Sequence, residues 1–138
     1  MRQLGFILAA ALAALAVAGL GCKRKEAGAA KVAQALDHSF KTADVETKQA
    51  VAASAAAIAA AETKTELSAK SAQYIQALAP MRTLVARGNL SQEQLQAARE
   101  MFAQVNKAVQ SDRRLATREM YQAQSAMAQA LFKAGMRP

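Results

Sequence analysis

Few residues in this chain have side chains suited to chemistry, and they are scattered. Cys22 is the only cysteine. A lone thiol makes no intramolecular disulfide, so its fate is covalent modification or life as a free thiol. His38 is the only histidine. Next to Asp37 it has the makings of a general base or a metal ligand, but no second ligand and no nucleophile stands at a useful spacing. A solvent-facing histidine is the expectation. Glu62 and Glu66 lie one helical turn apart, as a carboxylate pair for acid–base work would. Lys64 and Lys70 flank them, which points to a solvated helix face instead. Met101, Met120 and Met127 recur at helical spacing and read as gap-filling core; copper binding by methionine-rich helices is the alternative. No HExxH, CxxC, GxSxG or Walker loop is present. The sequence therefore assigns no catalytic residue, no metal site, no cofactor and no small-molecule substrate, and the expectation is that the protein is not an enzyme.

The position of Cys22 is more informative than its chemistry. It closes an uncharged apolar run, Leu4 to Gly21, that follows Arg2, and Lys23-Arg24-Lys25 comes directly after it. A basic start, an apolar stretch and small residues before a cut point are the parts of an export signal. A lone cysteine at that cut point resembles the acylation site of bacterial lipoproteins. The lipoprotein cleavage motif reads Leu, a small residue, Gly or Ala, then Cys. Here the four positions are Gly19, Leu20, Gly21 and Cys22; the last two match and the first two stand in disturbed order. The resemblance implies cleavage after Gly21 and lipidation of Cys22. It divides the chain into a signal peptide at 1–21, a lipidated N-terminus and tether at 22–30, and a helical domain at 31–138. It implies attachment to a membrane through the lipid, in the bacterial cell envelope and facing the periplasm. Lys23 stands where an inner-membrane retention signal would carry Asp, which by analogy points to the outer membrane. Two other readings stay open. Ala16-Val17-Ala18 offers ordinary signal peptidase a site, and the apolar run could remain as an uncleaved anchor with Lys23, Arg24 and Lys25 on the cytoplasmic side.

These residues need a scaffold, and composition says what kind. Residues 23–138 suffice for one small domain. The hydrophobic fraction is 53%, but much of it is alanine, the best helix former and a poor source of buried area. The only aromatics after Cys22 are Phe40, Tyr74, Phe102, Tyr121 and Phe132. The fold must rest on helix packing. The formal charge of +8 suggests attraction to anionic lipid or envelope polymers. The cations are scattered, with no dense basic stripe interleaved with aromatics, so nucleic acid is not an expected partner.

The periodicity is helical throughout, and the fold class is all-α: a small antiparallel helical hairpin or bundle with a long C-terminal helix. Val32, Leu36 and Phe40 form one stripe. Asp44 is a candidate N-cap for a helix running from Val45 through the alanines to Ala61. Thr63-Lys64-Thr65-Glu66 matches a capping box, either at a new helix start or within a longer helix. Leu67, Ser71, Tyr74 and Leu78 make a stripe that resumes after Pro80 with Met81, Leu84 and Val85, predicting one kinked helix. Gly88 ends it. Ser91 and Gln94 form a capping box, and Leu90 and Leu95 a hydrophobic staple. The turn at 88–91 thus predicts an αα-hairpin. Leu95, Ala98, Phe102, Val105 and Val109 continue into Met120, Met127 and Leu131. One helix from Gln92 to about Lys133 would be ~60 Å long; a break near Ser111 is the alternative.

The stretch from Phe40 to Gln104, with its Val-Glu-Thr-Lys-Gln-Ala-Val opening and its Leu-Val-Ala-Arg-Gly-Asn-Leu-Ser-Gln-Glu-Gln turn, resembles small alanine-rich helical lipoproteins of Gram-negative bacteria. It covers about half the chain, and its motifs are caps and turns. The resemblance implies fold and location, and no activity. The expected function is a non-enzymatic, lipid-anchored envelope protein acting as a helical interaction or structural module, with a protein partner or self-association. The alternatives are a cationic periplasmic binder of anionic envelope polymers and a single-pass anchored helical protein.

Overall fold

The structure, a computed structural model, describes the backbone of residues 23–136 and side chains from Gly28 onward. Five helices follow one another: α1 Lys23–Ser39, α2 Val45–Thr63, α3 Leu67–Arg87, α4 Gln92–Ser111 and α5 Arg118–Gly135. No strand occurs among the described residues. The protein is an all-α bundle. Residues 28–30, assigned to the tether from sequence, already lie in α1, and Ala29 is buried.

Local chemistry sets most helix boundaries. Asp44 caps α2: one carboxylate oxygen accepts from the Thr47 amide at 2.9 Å, and the other from the Thr47 hydroxyl at 2.8 Å. Ser91 caps α4 through the complete box, with Gln94 N–H to Ser91 Oγ at 3.1 Å and Ser91 N–H to Gln94 Oε1 at 2.9 Å. Gly88 ends α3 at φ 77°, ψ 19°, the left-handed conformation that costs a Cβ-bearing residue about 1–2 kcal/mol. The turn from α2 to α3 is built differently from the expected Thr63 box. Thr63 sits in the last turn of α2 and donates its hydroxyl to the Ala60 carbonyl at 2.9 Å. Glu66 itself is the N-cap of α3 and accepts from the Ser68 and Ala69 amides, each at 3.1 Å. Helix α3 continues through Pro80 to Arg87.

The long C-terminal helix of the sequence reading is in fact two helices, with the break where the alternative placed it. After Ser111, Asp112 turns extended at φ −135°, and Arg113–Leu115 form a short 3-10 turn. Thr117 then caps α5 by accepting from the Met120 amide at 3.1 Å. Leu115, 1% exposed, plugs this corner into the core, and its burial opposes straightening of the chain.

The most extensive helix–helix contacts are α2 with α3, α3 with α5, and α1 with both α2 and α4. Small buried residues make them possible. Ala57 and Ala61 on α2, and Ala77 on α3, lie in the core with Ile58, Tyr74 and Leu78. Gly28 on α1 lies against Gln104 of α4: a Cβ there would fall 2.6 Å from Nε2, at the movable end of that side chain. The connection at 88–91 is the expected tight turn, but α4 approaches α1 more extensively than it does α3. Met101, Met120 and Met127 are fully buried, as gap-filling core residues should be.

Candidate functional site

The residues that the sequence singles out, Cys22 for lipidation and Gly19, Leu20 and Gly21 for cleavage, lie outside the described residues. His38 is in the last turn of α1, two-thirds exposed, with Nε2 3.4 Å from Glu93 Oε1 on α4. It lies beside the start of α4 in an exposed contact, and no metal-binding group forms around it among the described residues. Among the described residues no group of three or more His, Cys, Asp or Glu is placed to hold a metal ion.

The most developed polar arrangement is a cleft that sequence reasoning did not anticipate. It is bounded by α2, α3, α4 and the 3-10 turn, with a volume of about 480 Å³. At its base Tyr74, 1% exposed, donates its phenol to Glu62 Oε1 at 3.0 Å. Gln104 Nε2 approaches the same oxygen at 3.4 Å. Burial, reinforced by the charge and hydrogen bond of Glu62, pushes the Tyr74 phenol above its ordinary range. In its protonated form the phenol is the hydrogen-bond donor of the pair. Lys70, Lys107 and Arg114 line the mouth. Arg114 is committed, gripping Asp112 with Nε to Oδ1 and Nη2 to Oδ2, both at 2.9 Å. That grip, assisted by the nearby Lys70 charge, holds the Asp112 carboxyl below the usual carboxylate range.

The arrangement brings donors, acceptors and charge together. What it does visibly is join helices. One carboxylate oxygen on α2 ties α3 and α4 together. The Glu62/Glu66 pair is thus divided: Glu62 turns inward to Tyr74, and Glu66 is spent as a helix cap. The signal available in the sequence was a buried-type tyrosine one helix on from a glutamate, which is too common a pattern to single out.

The outer surface carries the remaining character. The Arg87–Glu46 pair, at 2.9 Å, joins α3 to α2. The large exposed hydrophobic residues include Val45, Tyr121, Phe132 and Met136; the last three lie along α5 or at its end. No described helix is long and apolar enough to cross a membrane.

Fold and cleft together define a small all-α bundle braced by polar ties between its helices. No protein-family model matches the chain, and no curated protein or solved structure is similar enough to count as a relative.

Proposed function

We propose that this chain is a non-enzymatic, lipid-anchored bacterial envelope protein whose helical bundle serves as an interaction or structural module. The observation that carries the reading is the place of Cys22. It stands alone at the end of an uncharged apolar run and before three consecutive basic residues. On this reading segment 1–21 is removed, Cys22 carries the lipid, and the bundle faces the periplasm, with Lys23 favouring the outer membrane. The packing of α1 supports a short leash. Ala29 is already in the core, seven residues beyond Cys22, and even a fully extended connection of that length reaches only about 25 Å. The bundle would therefore stay close to the headgroups. There Lys23, Arg24 and Lys25 could each add about 1 kcal/mol of attraction to anionic lipid.

Intact mass spectrometry of the protein from its native membranes tests the reading. A mature chain starting at Cys22 with diacylglyceryl and acyl mass is the expected result. A chain starting at Gly19, or one retaining Met1, would overturn the lipid anchor.

The charge distribution favours one further reading, a cationic binder of anionic envelope polymers. Lys31, Lys41, Lys48, Lys64 and Lys107 lie on the described helices or the connection between them, outside the ion pairs found there. Such binding would be strong at low salt and fade as ionic strength rises; no binding even at low salt would reject it.

A further inference from the structure

The outer surfaces of α3 and α5 meet in a furrow that no part of the described chain fills. Two adjoining depressions, of about 250 and 680 Å³, make it up, and Arg82 and Ala126 line both. The α3 wall is Ile75, Ala79, Arg82 and Ala86; the α5 wall is Gln122, Ala126, Gln129 and Lys133. Each row steps by four, three and four residues, the spacing of one continuous helix face. One depression joins Ile75 and Ala79 to Gln122 and Ala126. The next joins Ala86 to Gln129 and Lys133, so the two helices run in the same direction. Two such rows with alanines between them form a trough about 17 Å long, three helical turns at ~1.5 Å per residue.

The chemistry of the trough selects its occupant. The floor is small and apolar. No aspartate or glutamate lines either depression. Arg82 and Lys133 stand on its rim, exposed and outside the ion pairs found among the described residues. Arg87 is already paired with Glu46. Cations facing an apolar trough want carboxylates on either side of an apolar ridge. A second copy suits it poorly, because two chains that each keep a net charge of +7 without Arg2 repel.

We infer that the α3–α5 trough is the docking site for an amphipathic helix of a different protein, with apolar residues at three- and four-residue spacing flanked by aspartate or glutamate. The inference rests on the reading of the bundle as an interaction module and not on the anchor at Cys22.

The test places a photo-activated cross-linking residue at Gln129, or at Ala86, in the full-length chain expressed in its own cells, with Gln110 on α4 as the position outside the trough. Cross-linked peptides are then identified by mass spectrometry. Expected are adducts from both trough positions to one segment of another protein with the stated pattern. Arg82→Glu combined with Lys133→Glu should lower their yield about tenfold, as reversal of two complementary charges would. Arg82→Gln with Lys133→Gln, measured alongside, should lower it less; circular dichroism verifies that each variant keeps its helix content. Adducts only to lipid, to a second copy or to residues 1–22 of this chain would overturn the inference. So would a yield no higher than at Gln110, or one indifferent to both pairs of substitutions. The N-terminal peptide in the same digest reports the Cys22 modification independently, so a failed anchor and an empty trough give different results.

Discussion

Replacing Tyr74 by Phe keeps the buried ring and removes only the phenol oxygen that reaches Glu62 at 3.0 Å. A hydrogen bond to a charged acceptor contributes about 1.5–3 kcal/mol. The lower end applies here, because Glu62 is half-buried and keeps Gln104 as a second, longer partner. A loss of about 1.5 kcal/mol in a domain of this size corresponds to a fall in Tm of roughly 6 °C, read by circular dichroism at neutral pH. Combining the change with Glu62→Gln should show coupling: once the carboxylate is gone, removal of the phenol should cost measurably less than it does alone. The alkaline limb gives an independent reading. The folded phenol titrates above its ordinary value of about 10. Its contribution is therefore complete below about pH 10 and is lost as pH rises toward the folded value, because the unfolded chain gives up the proton first. In that window the wild type should lose up to about 1.4 kcal/mol more per pH unit than Tyr74→Phe. Parallel alkaline limbs together with additive single and double variants would refute the bond and the cleft built on it.

Three further outcomes follow from the packing and the caps. The Ser54 hydroxyl is fully buried with no hydrogen-bond partner, so Ser54→Ala should raise stability by about 1 kcal/mol in urea unfolding; a decrease would mean that the hydroxyl is satisfied after all. Gly88→Ala forces a Cβ into the left-handed region and should cost about 1 kcal/mol, seen as a lower urea midpoint at unchanged slope. The carboxylates of Asp44 and Glu66 are held below their usual range, by hydrogen bonds from Thr47 and from Ser68 and Ala69 respectively. The stability they contribute is present above about pH 4 and disappears as pH falls through their folded values. Amide protection at Thr47, Ser68 and Ala69 should therefore weaken first on acidification. Gln94 and Met120, whose caps are the hydroxyls of Ser91 and Thr117, should hold, and simultaneous loss at all five amides would refute a local cause.

The sequence was most legible where structure depends on a few neighbouring residues. The Ser91–Gln94 box, the Asp44 cap and the left-handed Gly88 each involve partners within three positions, and each forms as its chemistry dictates. The error at 63–66 is of the same local kind. Thr63 and Glu66 both have capping side chains, and pattern alone does not say which takes the duty. The structure favours the longer side chain nearer the helix, since the Glu66 carboxylate can serve two amides at once while Thr63 remains a productive last residue of α2.

Tertiary choices were harder to read for a definite reason. The apolar stripe down α4 resumes in α5 with hardly a change of phase, so periodicity alone is compatible with one helix. What breaks it is Leu115: only a turn at 112–117 lets that side chain reach the core, and Asp112 and Thr117, both cap-forming residues, make the turn inexpensive. Tyr74 and Glu62 are twelve positions apart, on separate helices whose approach depends on alanines that carry no directional signal. The same holds for the α3–α5 trough. Its two rows are each visible as ordinary helix surface, polar enough to pass for solvent-facing. Their meaning arises only when the break after Ser111 folds α5 back parallel to α3 and sets Arg82 and Lys133 along one apolar floor. The residue that decides whether such a surface exists is therefore outside it. Leu115 fixes the corner, so truncating it should disturb the trough as well as the core, whereas charge changes on the rim should alter docking and leave the bundle intact.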